Sequence, residues 1–164
     1  MRLQDLLIEE LQDLYDAEQQ LLALLPQLAD ASRGEALRSA FTSHLEETRT
    51  HVSRLDDVFA LMGIKAMRRR CAGMAGILEE GGRLLTQRDI EGAVLDAGLI
   101  AGAQKAEHYE MCGYGTCVAW ARTLGLHQVA ARLEETLVEE EAADQTLSDL
   151  AVQEVNISAS HEPT

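Results

Sequence analysis

A few side chains in this sequence have types and spacings that their helices do not need for folding: Glu18, His44, Glu47, His51, Glu107, Glu110, Glu141 and Asp144. Within each stretch they stand three, four or seven positions apart, which is one or two turns of a helix and places them on one side of it. Carboxylate oxygens and imidazole nitrogens aimed at one point make a site for a divalent cation, and an oxygen-rich set favours iron or manganese over zinc. The thiols do not join it. Cys71, Cys112 and Cys117 are odd in number and lack Cys-x-x-Cys spacing, so neither a disulfide framework nor a zinc knuckle is expected, and reduced thiols fit a cytoplasmic setting.

Helices must position these groups. Leu7, Leu11, Leu14, Leu21, Leu25 and Leu28 form one stripe of a helix over about residues 2–31, in which Pro26 is expected to introduce a late kink. Glu18 falls roughly 20° from Leu7 at 100° per residue, in the middle of that stripe. A buried lone carboxylate costs several kcal/mol unless a cation meets it, and this helix has no lysine or arginine beyond Arg2. Leu37, Phe41, Leu45, Val52, Leu55, Phe59 and Met62 mark a second helix, stopped by Gly63. His44, Glu47 and His51 share an arc of about 60° beside its stripe, with either histidine able to be the nitrogen ligand. Residues 64–73, with Arg68, Arg69 and Arg70, read as a connection to a short helix from about Met74 to Leu85.

A third helix, about Asp89 to Leu124, carries Glu107 and Glu110 among Leu99, Ala103, Tyr114 and Ala121. Asp96 shares their phase three turns earlier, so it is expected at a bundle end or against the arginine-rich connection. Gly125 ends this helix. The fourth holds Leu126, Val129, Ala130, Leu133, Leu137, Leu147, Ala151 and Val155 in phase. There Glu140 and Glu141 flank the stripe, Asp144 lies near its middle, and Glu134, Glu135 and Glu139 read as a solvated face.

Two helical pairs with short turns, joined by a longer connection, make an all-α antiparallel four-helix bundle of ferritin-like layout over residues 1–155, with a polar tail from 156 to 164. Antiparallel helices bring the acids near their middles to one level. The formal charge of −14 argues against nucleic acid and anionic membranes as partners and for cations. No apolar stretch approaches the length of a membrane span or of a signal-peptide core.

The segments LQDLYDAEQQLL, FTSHLEETRTHVSRLDDVF, LDAGLIAGAQKAEHYEMCGYGT and LEETLVEEEAADQTLSDLA resemble the bacterial YciF-type stress-protein family of the ferritin-like superfamily, in order and over about residues 1–155. The resemblance implies a homodimeric bundle with a rubrerythrin-like two-metal site. Its ligands would be Glu18, Glu47, His51, Glu107, Glu110, Glu141 and Asp144. The usual Glu-x-x-His of ferritin-like sites is replaced by Glu-x-x-x-His in the second helix and Glu-x-x-Asp in the fourth. The function expected is redox chemistry on peroxide or dioxygen with an external reductant, Tyr114 supporting the site. The alternatives are a metal-poor interaction module and an iron-storage protein.

Overall fold

The computed structural model describes residues 1–87, 89–90 and 92–161. Its elements in chain order are α1 (Leu3–Ala31), α2 (Glu35–Leu61), α3 (Ala72–Gly82) with a 3-10 extension (Arg83–Thr86), α4 (Gly92–Thr123), α5 (His127–Leu150), a wide π turn (Ala151–Val155) and α6 (Asn156–Ala159). The four long helices form the ferritin-like bundle. α1 packs against α2 and α4, α5 packs against the same two, and α3 lies on α4 and α1.

Two glycines end helices as their positions predict. Gly63 (φ +68°) and Gly125 (φ +73°) adopt the left-handed conformation. Beyond them, Ile64 N–H donates to the Phe59 carbonyl at 3.1 Å and Leu126 N–H to that of Ala121 at 2.8 Å. Each is a Schellman closure that satisfies carbonyls at the helix end. α1 continues unbroken past Pro26, which is solvent-exposed, so the carbonyl that loses its partner can meet water. Helical structure also runs beyond residue 155, where the sequence marks the start of a tail, because Val155 is buried against the core. Residues 162–164 of that tail lie outside the described residues.

Buried acids that are fully bonded hold the frame together. Asp96 accepts from the backbone N–H of Arg33 and of Gly34, both at 2.8 Å, and so pins the α1–α2 turn to α4 at one end of the bundle. Asp16 accepts from the Cys71 backbone N–H at 2.8 Å and from Arg68 Nε at 2.9 Å, fastening the crossover to α1. Such pairing offsets the cost of burying charge.

The apolar core is in two parts. One cluster holds Leu21, Leu25, Leu28, Phe41, Met74, Leu99 and Ala103. The other holds Leu7, Leu11, Leu14, Leu55, Phe59, Tyr114, Val118 and Leu133. On every long helix the boundary between them falls at a buried polar residue: Glu18 on α1, His44 to His51 on α2, Glu107 and Glu110 on α4, and Glu140 on α5. A polar layer thus crosses the bundle at mid-height.

Candidate metal centre

Glu18, His51, Glu110 and Glu140 have no exposed surface, Glu107 is 1% exposed and His44 6%. His51 Nδ1 lies 3.4 Å from Glu18 Oε1 and 3.0 Å from Glu140 Oε1. His44 Nε2 lies 3.1 Å from Glu107 Oε1 and 3.8 Å from Glu140 Oε2. The two oxygens of Glu140 therefore face different partners. One triad is Glu18, His51 and Glu140, the other His44, Glu107 and Glu140, and the donor atoms within each lie within 4.8 Å of one another. Two ligands bonded to one ion at about 2.1 Å each stand up to about 4.2 Å apart, so small adjustments close either set.

Short separations do not make these contacts hydrogen bonds. Both oxygens of Glu140 and of Glu110, Oε2 of Glu18 and of Glu107, Nε2 of His44 and Nδ1 of His51 all lack a hydrogen-bond partner. These are the buried side-chain polar atoms without a partner among the described residues, and every one belongs to this layer. Each such atom ordinarily costs free energy, so a cluster of them marks a missing common partner. Four carboxylates and two neutral imidazoles carry the charge that two divalent cations balance, and the residues present fit that group.

Without cations, protons must do the balancing. Burial, reinforced by Glu18, Glu140 and Glu107, holds the Glu110 carboxyl well above the usual carboxylate range. Burial likewise pushes Glu140 up to about 8, Glu18 and Glu107 adding to it and His51 opposing. For His51, burial disfavours the charge, but Glu140 and Glu18 outweigh it and push the ring up to about 10. His44 is raised in the same way, chiefly by Glu107 against burial. A cation bound here would displace protons.

Surrounding groups aim the donors. His51 Nε2 lies 2.9 Å from Glu139 Oε2. Glu139 is itself held by Arg54 Nη1 at 2.7 Å and Nη2 at 3.1 Å, and Arg54 also donates to Thr136 Oγ1 at 2.6 Å. An Nε2–H donated to Glu139 leaves the Nδ1 lone pair facing Glu18 and Glu140, the tautomer a cation requires. On the other side Tyr114 O–H donates to Glu18 Oε1. Burial and the Glu18 charge raise the Tyr114 hydroxyl well above its ordinary pKa, so it stays a donor.

Of the residues expected at the site, Glu18, His51, Glu107 and Glu110 lie in the layer, and His44 joins as a second nitrogen. Glu47 sits at its rim, its side chain 48% exposed and its Oε2 3.4 Å from His44 Nδ1. Glu141 points to solvent, and Glu140 is the inward acid of α5. The buried positions of α5 include Leu133, Thr136, Glu140 and Leu147. That phase rotates Leu137 to the edge and takes Glu141 out with it. Asp144 is half-buried and accepts from Gln104 Nε2 at 3.0 Å, away from both triads. Glu139, assigned from sequence to a solvated face, is instead the partner of His51. The heptad spacing Leu133, Glu140, Leu147 was the available signal for Glu140. Nothing local marked Glu139, whose role depends on Arg54 from another helix.

The family pattern DUF892, a domain of unknown function, matches residues 2–160. Protein YciF of Escherichia coli (strain K12) is 42% identical over 158 residues, covering 96% of this chain and 95% of that protein. The crystal structure of the E. coli stress protein YciF superposes with a TM-score of 0.91 at 42% identity, over 95% of this chain and 98% of that one. The structure of YcfI from Rhodopseudomonas palustris gives 0.86 at 39% identity, over 90% and 94%. A protein from Xanthomonas campestris pv. campestris shares the fold at a TM-score of 0.75 and 18% identity.

Proposed function

The chain belongs to the DUF892 family of YciF-type, ferritin-like proteins, and on that premise we propose that it binds two iron or manganese ions and uses them in redox chemistry on peroxide or dioxygen during stress. The observation that carries this reading is the set of unpartnered donor atoms, which falls into two triads sharing Glu140. A bound metal pair would supply one- or two-electron exchange with a small oxidant. The chain's own part is to hold it. Glu140 offers one oxygen to each triad, Glu139 fixes the tautomer of His51, and Tyr114 keeps a proton on the hydrogen bond to Glu18. The apolar clusters above and below keep water out of the layer.

Oxygen donors outnumber nitrogen and no cysteine reaches the layer, which favours iron or manganese. Cys117 lies in one apolar cluster and Cys71 in the other; burial pushes the Cys71 thiol up to about 11. Neither of these, nor the exposed Cys112, which lies outside both triads, supplies a thiolate relay, so electrons would come from an external reductant. A metal-poor interaction module would have its core acids satisfied by water and by one another; the grouping of their unpartnered atoms into two triads favours cations over that arrangement. A cytoplasmic homodimer remains part of the proposal on the family resemblance; among the described residues no helix is long and apolar enough to cross a membrane.

Elemental analysis of untagged protein purified without chelator tests this reading, with two iron or manganese ions per chain expected and peroxide consumed when a reductant is supplied. Substoichiometric metal, with a melting temperature indifferent to added Fe(II) or Mn(II), would sink it. One ion at 100 times its Kd adds about 2.7 kcal/mol of stability, an easily measured shift.

A further inference from the structure

A buried layer needs a way in. Between α2 and α5 runs a groove of about 390 Å³ lined by small side chains such as Ala40, Ser43 and Ala143 and by the larger apolar Phe41, Leu147 and Leu150. His44 and Glu47 also line it. We propose that this groove is the port by which a divalent cation reaches the centre, with Glu47 receiving the ion and His44 standing between Glu47 and the triads. The inference rests on the two-metal reading above.

The His44 ring connects outside to inside. Its Nδ1 lies 3.4 Å from Glu47 Oε2 at the surface, and its Nε2 lies 3.1 Å from Glu107 Oε1 in the layer. The side chain is 7% exposed, and the ring is held by carboxylates on both sides, Glu47 outside and Glu107 inside. A swing of this one ring opens a path of about one side chain's length from Glu47 to Glu107.

The same seam is closed on the other side of the layer. There Arg54 bridges to Glu135 at 3.3 Å and to Glu139 at 2.7 Å, between α2 and α5. A second cavity touching a member of the cluster is a crevice beneath α3 that reaches Glu107, with room for about 10 Å³. Leu21, Leu25, Leu78 and Leu99 line it. A hydrated cation would have to shed its water there among leucines, at prohibitive cost. Glu47, half-exposed and 3.4 Å from an imidazole nitrogen, offers oxygen and nitrogen donors in exchange for water, and the net charge of −14 draws cations to the surface.

The test is Co²⁺ loading of the chelator-treated full-length protein, followed by visible absorbance in stopped flow and by calorimetry at equilibrium. Glu47→Gln should slow loading about tenfold, as lost electrostatic guidance does, with two ions still bound and any loss of affinity smaller than the loss of rate. Ala143→Leu, which fills the groove without removing a donor, should slow loading at least as much. Loading at the wild-type rate in Glu47→Gln overturns the port, whatever Ala143→Leu does to folding. Equilibrium binding weakened in Glu47→Gln by as much as loading is slowed also overturns it, by making Glu47 part of the holding site and not of the way in. Failure of the wild type to bind Co²⁺ at all sinks the two-metal reading itself, a separate outcome from a change in rate.

Discussion

The two triads share Glu140 yet are supported very differently. Around His51 and Glu18 the neighbours are fixed: Glu139 behind the imidazole, Arg54 and Thr136 behind Glu139, and Tyr114 on the carboxylate. Around His44 the outward contact is Glu47 at 3.4 Å, with the groove beyond it. One half of the centre is braced by a chain of charged hydrogen bonds and the other opens to solvent through a single ring. Donor sets of the same composition need not hold metal alike, since the partners behind the ligands set their orientation and basicity.

The largest effect should come from the shared residue. Glu140→Ala removes a donor from both triads and should lower affinity for both ions by more than the roughly 100-fold that a supporting partner is worth; two ions still bound by elemental analysis would mean that Glu140 bridges nothing. Next, Glu139→Gln should weaken one ion by about 10- to 100-fold and leave the other in place. Calorimetry would then show two separated binding steps, whereas equal weakening of both would erase the distinction between braced and open halves.

The smallest effect concerns protons. Glu140 rises from 4.5 to about 8 and His51 from 6.5 to about 10 in the folded, metal-free chain. Both folded values exceed the unfolded ones, so the stability each contributes is complete below its unfolded pKa and is lost as pH climbs through the folded one. The melting temperature of chelated protein should therefore fall between about pH 6 and about pH 9, and the loaded protein, whose donors hold cations instead, should not share the decline. A chelated protein that grows steadier over that range would show that these groups do not hold extra protons.

Angle was legible in the sequence and depth of support was not. Glu18 stood in the centre of an unambiguous leucine stripe, and Gly63 and Gly125 announced their helix ends because few residues tolerate positive φ. On α5 the stripe is weaker. Leu137 and Thr136 compete for the inward position, and a rotation of one residue exchanges Glu140 for Glu141. Glu47 lies on the correct side of α2 but too far round it to reach the layer. The role of Glu139 depends on an arginine reaching across from α2, a tertiary contact that no wheel of a single helix contains.

The division of the apolar core by a charged layer bears on how the molecule opens. In most bundles the middle of each helix is the last part to exchange its amide protons and the ends the first. Here the middle holds unpartnered acids, so the metal-free chain is expected to behave as two cooperative units threaded on the same four helices, with amide exchange elevated around Glu18, Thr48, Glu110 and Glu140. Cations ligated from all four helices at that level would join the units, and hydrogen exchange would then report one opening where there had been two.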